Sequence, residues 1–141
     1  MEARDLQLKD ITVGDTSSFE RTISEGDIAA FAEISGDYNP LHMDAKYAAQ
    51  TSFGRPVVHG MFLGALCSSF VGMYLPGKRC LYMSQSLQFK KPVYAGDTVI
   101  VTGTVRNKSV ATRVLSISIS IRRDEEEVAV GEAQVQVLEN Q

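Results

Sequence analysis

Helical spacing of apolar residues in the first half of the chain, and strict alternation in the second, predict an α+β domain in which an antiparallel β-sheet wraps around a long central helix. The change of period falls at Pro76-Gly77. Before it, the twenty-two residues from Pro56 to Gly77 include no Asp, Glu, Lys or Arg. After it, apolar residues recur at every second position. A length of 141 residues fits one domain spanning 1–141. At that size roughly two thirds of the unfolded surface is hidden on folding, which supports a core without disulfides. With 44% hydrophobic and 22% charged residues, the chain is too apolar to stay disordered.

Phe19 to Ile23 reads as a short strand. Ser24 then offers a helix N-cap, Asp27 completes a capping box three residues on, and Ile28, Phe31, Ala32 and Ile34 form a helical apolar face. Gly36 is a C-terminal stop. The Asp, Asn and Pro between Asp37 and Leu41 predict an ordered turn, followed by a short helix near Asp44 to Gln50. Pro56 precedes the long helix, and Pro76 with Gly77 ends it. A helix apolar nearly all round belongs in a core. His59, Gly60, Gly64, Ser68, Ser69 and Gly72 interrupt its apolar run, which argues against a membrane span.

Leu81, Met83, Leu87 and Phe89 fall on alternate positions, as do Val99, Val101 and Val105. Leu115, Ile117, Ile119 and Ile121 do the same with serines between them. In the last strand the apolar residues change parity, from Val128 and Val130 to Ala133, Val135 and Val137, so one extra residue is expected there as a β-bulge at Gly131. Short connections at Arg106 to Val110 and Asp124 to Glu127 make neighbouring strands antiparallel. A curved sheet round one helix is the hot-dog arrangement. A single copy leaves the helix partly covered and a sheet edge free, so a homodimer joined through that edge is expected.

A formal net charge of −3 and a pI near 5.4 disfavour nucleic acid as a partner. Cys67 and Cys80 sit apart in apolar segments and read as two reduced thiols. The first ten residues mix charges of both signs without an apolar core of signal-peptide length, so a cytoplasmic location is expected. No carboxylates or cysteines recur with ligand spacing, and neither a metal nor a cofactor is expected.

The most informative segment is Ile34-Ser35-Gly36-Asp37-Tyr38-Asn39-Pro40-Leu41-His42. On a continuous helix Asp37 and His42 would point roughly 140° apart. Pro40 makes that helix improbable, and an Asn-Pro turn can fold both side chains toward one point. A carboxylate and an imidazole sharing one water form an acid and base pair able to work near neutral pH. The structural alternative has Asp37 capping a turn and His42 starting the next helix. The other histidine, His59, reads as a ring fixed by a backbone hydrogen bond.

This string resembles the signature of the hydratase 2, or MaoC-like, family of R-specific enoyl-CoA hydratases. The similarity continues through Phe53-Gly54-Arg55-Pro56-Val57-Val58-His59-Gly60-Met61 to Gln85-Ser86-Leu87-Gln88-Phe89, Pro92 and Gly96-Asp97. It implies the hot-dog fold and hydration of a trans-2-enoyl thioester to the R-3-hydroxyacyl product. Position by position, it implies Asp37 and His42 as the catalytic pair and Asn39 as the polar residue between them. Gly60 matches the donor of a backbone N–H to the thioester oxygen, and Ser68 matches a polar position lining the site. Lys78, Arg79, Lys90 and Lys91 are candidates for the CoA phosphates. The implied substrate is an acyl-CoA or an acyl-carrier-protein thioester, the latter worked on by dehydratases running the same chemistry backward. Different classes remain: a hot-dog thioesterase, which aims water at C1, or a non-catalytic acyl-CoA binding module. The Asp, Asn and His string argues against both.

Overall fold

The computed structural model describes residues 1–139, so the last two residues of the expected 1–141 span lie outside the described ones. After a single 3-10 turn at Leu8–Asp10 come β1 (Thr16–Thr22), α1 (Glu25–Ser35), the short helices α2 (Pro40–Met43) and α3 (Ala45–Ala49), and the long helix α4 (Gly60–Met73). The strands β2 (Cys80–Gln85), β3 (Gln88–Phe89), β4 (Thr98–Ser109), β5 (Val114–Arg123) and β6 (Glu126–Val137) follow. One antiparallel sheet runs β1-β4-β5-β6-β2, with β3 also on β6. Its concave face holds α4, as the hot-dog arrangement requires.

Local signals set α1. Ser24 Oγ accepts from Asp27 N, the Asp27 carboxylate accepts from Ser24 N, and Gly36 closes the helix in the left-handed region at φ 77°. Hydrogen bonding from the Ser24 backbone, with Arg21 alongside, holds the Asp27 carboxyl below its ordinary range.

α4 begins four residues after Pro56, because Val57 and Val58 are drawn into backbone pairing instead. Val58 N donates to Val93 O at 2.8 Å, and Val57 bridges Tyr94. At fourteen residues, Gly60–Met73 is too short to cross a bilayer, and no helix among the described residues is long and apolar enough to do so. Its buried side chains, Phe62, Leu63, Leu66, Cys67, Phe70 and Val71, form a single stripe. At about 1.5–3 kcal/mol for each large apolar side chain buried, that stripe anchors the helix to the sheet. Phe70 settles over Gly103 of β4, where a Cβ would collide with its ring. The opposite face, with Met61, Ala65 and Ser68, is exposed, so α4 is not buried all round as its composition suggested.

Two strand readings need correction. The extra residue in β6 is Val128, not Gly131. Ile121 pairs with Ala129 and Arg122 with Glu127, while pairing through Gly131 is regular. The change of parity shows that a residue is inserted, but only the partner strand shows where. In β2, Leu81 and Met83 are about half exposed, at 51% and 57%, whereas Cys80 and Tyr82 pack against the core. The strand lies at the sheet edge with a register shift between Tyr82 and Ser84, so apolar alternation does not mark its inner face.

Candidate active site

Between α1 and α4 the chain makes a tight polar loop. Ser35 Oγ accepts from Asp37 N at 3.1 Å, and Asp37 Oδ1 accepts from Asn39 N at 3.1 Å. Asn39 Oδ1 accepts from Leu41 N at 2.9 Å, capping α2, whose first residue is Pro40. This chain of side-chain-to-backbone bonds turns the loop back on itself and carries His42 toward Asp37. His42 Nε2 comes to 4.0 Å from Asp37 Oδ2, with the imidazole largely covered and the carboxylate about half exposed. The separation exceeds a hydrogen bond and leaves a gap between the two groups.

The proton on His42 is fixed by its surroundings. Nδ1 lies 2.6 Å from Val57 O, and a carbonyl can only accept, so Nδ1 carries the hydrogen. When neutral, the ring therefore turns a bare Nε2 toward Asp37. Val57 is held in place by Leu41 O, which accepts from Val57 N at 3.1 Å, and by the bridge to Tyr94. The segment opposite is clamped by Arg123, which donates to Pro92 O and to Asp97 Oδ2, both at 2.8 Å.

His59, at 2% exposure, is a buried polar residue of the core. Its Nε2 donates to Asp37 O at 2.9 Å, as the sequence reading of a backbone-fixed ring expected. Its ring also stacks on His42, centroids 4.0 Å apart. Asp37, His42 and His59 each bring a potential ligand atom within 4.8 Å of the others. Because His59 Nε2 is engaged by a carbonyl, the groups left open are the Asp37 carboxylate and His42 Nε2.

Gly60 is the first residue of α4, and His59 makes no side-chain cap; Phe62 N donates to His59 O at 3.0 Å, which leaves the Gly60 N–H without a partner among the described residues. Gly60 lines a cavity of about 340 Å³ with His42, Phe53, Val57, Leu63 and Phe89. The Phe89 ring takes the space beside Gly60, within 3.2 Å of where a Cβ would stand. Ser68 lies elsewhere. It lines a second cavity, of about 670 Å³, with Phe31, Met61, Gly64, Tyr82 and Leu87. Phe89 borders both cavities. The resemblance implies Gly60 and Ser68 in one site, whereas they line two cavities, and sequence reading missed Phe89, which borders both. Its even spacing with Leu87 marked only a strand.

Of the four basic candidates, Lys90 and Lys91 border the His42 cavity, and Lys90 is paired with Glu127 at 3.1 Å. Arg79 is held by Asp5 at 2.5 Å beside a different hollow. Burial pushes the thiols of Cys67 and Cys80 up to about 11, so both are protonated and poor nucleophiles at neutral pH.

The chain is 42% identical over 111 residues to an (R)-specific enoyl-CoA hydratase of Aeromonas caviae, a match covering 76% of this chain and 83% of that protein. It is 38% identical over 136 residues to a 3-hydroxybutyryl-CoA dehydratase of Methylorubrum extorquens, covering 96% and 87%. Among solved structures, the unliganded R-hydratase PhaJ1 of Pseudomonas aeruginosa superposes with a TM-score of 0.92 at 33% identity, covering 98% of this chain and 89% of that one. Residues 10–127 match the model of the MaoC like domain, and the chain belongs to that family of dehydratases.

Proposed function

We propose that this chain is a hydro-lyase of the R-specific enoyl-CoA hydratase type, adding water across C2 and C3 of a trans-2-enoyl-CoA and running the same step in reverse. The observation that carries the mechanism is the 4.0 Å gap between Asp37 Oδ2 and a bare His42 Nε2. Both atoms accept hydrogen bonds. A water about 2.8 Å from each would see them at roughly a right angle, close to the angle between its own O–H bonds. Its lone pairs then face outward, toward C3. As oxygen bonds to C3, one proton passes to the pair and a proton is delivered to C2. The two groups share one water and act as a unit.

Negative charge gathers on the thioester oxygen as C3 is attacked. The free Gly60 N–H at the positive end of α4 suits that oxygen. Asn39 keeps its Nδ2 amide for a substrate contact, since Oδ1 caps α2. The acyl chain has room past Phe89 toward Ser68, and Lys91 stands where the phosphates of CoA would leave the His42 cavity.

We extend the reading to a homodimer of single-domain chains. β2 ends the sheet with one side unpaired, and next to it α4 exposes Met61, at 63%, and Ala65 and Ser68. A second copy covers both surfaces by continuing the sheet. Sedimentation at micromolar concentration is expected to give a species near twice 15.4 kDa, and a monomer would contradict the pairing. Two free cysteines suit the reducing cytoplasm.

Crotonyl-CoA distinguishes the chemistries. Hydration removes the conjugated enoyl thioester absorbance and releases no thiol. Release of free CoA thiol would instead make the chain a thioesterase, and an unchanged spectrum would make it a binding module.

A further inference from the structure

We infer that His59 is a positioning residue, holding Asp37 and His42 in the geometry that shares one water; this rests on the hydratase reading above. Two contacts and its place in the chain make the case. Its Nε2–H holds the Asp37 carbonyl at 2.9 Å, and its ring stacks on His42 with centroids 4.0 Å apart and planes 27° apart. Its backbone is the N-cap of α4, directly before Gly60. One side chain thus ties both members of the pair to the helix start that offers the N–H to the thioester oxygen.

The choice of residue is costly in other respects. Ser, Thr, Asp or Asn is the usual N-cap, because the side chain of each bonds the first turn, and the His59 side chain does not. Its Nδ1 is enclosed with no hydrogen-bond partner among the described residues, although the ring is 2% exposed. Phe31 packs against its other side, centroids 4.9 Å apart. A phenyl ring would fill the same space without burying a bare nitrogen. A purely structural role therefore predicts that His59→Phe is at least as stable and as active as the native chain.

The positioning role predicts something else. Asp37 is about half exposed, and its main chain is anchored by His59 from the core side, so losing that bond lets the carboxylate drift from His42. Displacements on the order of 1 Å cost up to about 100-fold in rate. His59→Phe keeps the stacked ring and removes the donor, whereas His59→Gln keeps a donor and removes the stack. Steady-state hydration of crotonyl-CoA by the full-length native chain and both variants, with a melting curve for each, separates the two contributions.

His59→Phe is expected to lose about 10- to 100-fold in kcat with KM within about twofold. His59→Gln is expected to recover part of that loss, because it restores a donor to the Asp37 carbonyl. If His59→Phe fails to fold, His59→Gln decides alone, with a loss in kcat at constant KM supporting the role. A folded His59→Phe with kcat within twofold of native overturns the proposal, as does a loss confined to KM. A native chain unable to hydrate crotonyl-CoA overturns the hydratase reading and this proposal with it, a result distinct from variant failure against an active native enzyme.

Discussion

Asp37→Asn and His42→Ala are each expected to lower kcat for hydration of crotonyl-CoA by at least about 100-fold, the usual scale for losing a general acid or base. The fold should survive both. Asp37 is about half exposed and stands in no ion pair closer than the 4.0 Å gap, and His42 lies on a four-residue helix at the rim of the core. Asparagine keeps the Oδ1 that accepts from Asn39 N, so the loop is retained while the carboxylate is lost. Alanine at 42 removes the Nε2 that faces Asp37 and frees Val57 O. Circular dichroism of both variants, compared with crotonyl-CoA turnover, separates lost chemistry from lost structure. Near-native turnover in either variant removes the pair from the mechanism.

The largest effect on stability is expected at Gly131. In mid-β6 it faces the break between β2 and β3, where a Cβ would overlap the Ser86 carbonyl. The obstacle is backbone and cannot rotate away. Ser86 is pinned there from both sides, its N donating to Glu132 O and its Oγ accepting from Glu132 N, each at 3.0 Å. Gly131→Ala should therefore cost about 3 kcal/mol, the upper end of overpacking, and lower Tm by roughly 10 °C. Gly26→Ala, in the first turn of α1 with nothing closer than 3.5 Å, should hold or slightly raise Tm. Thermal melts of the two variants check this. Native-like melting of Gly131→Ala would mean that β2 and β3 part from β6 without cost.

The same contact bears on the site, because the break after Gln85 sends Leu87 and Phe89 toward Gly60 and Gly64 of α4. None of this was legible in the chain. α1 could be read almost residue by residue, since its capping box and left-handed glycine stop are local signals. The juxtaposition of Asp37 and His42 could be read too, because a proline, an asparagine and a short loop act within six residues. What escaped was set by distant partners. Val57 and Val58 look like the start of an apolar helix until Val93 and Tyr94 draw them into pairing. The bulge in β6 was legible as a change of parity but is located by β5. Met83 and Leu81 alternate like core residues on an edge strand whose odd positions turn outward. His59 was read as a ring fixed by a backbone hydrogen bond, while the acceptor, the Asp37 carbonyl, lies 22 residues away in sequence.

The central claim is that one water, held between Asp37 and His42 on one side of the substrate, supplies oxygen to C3 and a proton to C2. Both atoms should then arrive on the same face of the planar enoyl group. With the thioester oxygen at the Gly60 N–H, only one face of C3 turns toward the pair, and the family implies that this gives the R alcohol. Hydration of crotonyl-CoA in heavy water, with NMR assignment of the deuterium at C2 and trial oxidation of the product by an S-specific 3-hydroxyacyl-CoA dehydrogenase, measures both. The account predicts syn addition and a product that the S-specific enzyme leaves untouched. Anti addition would contradict the single shared water, and ready oxidation would contradict the placement of the substrate face.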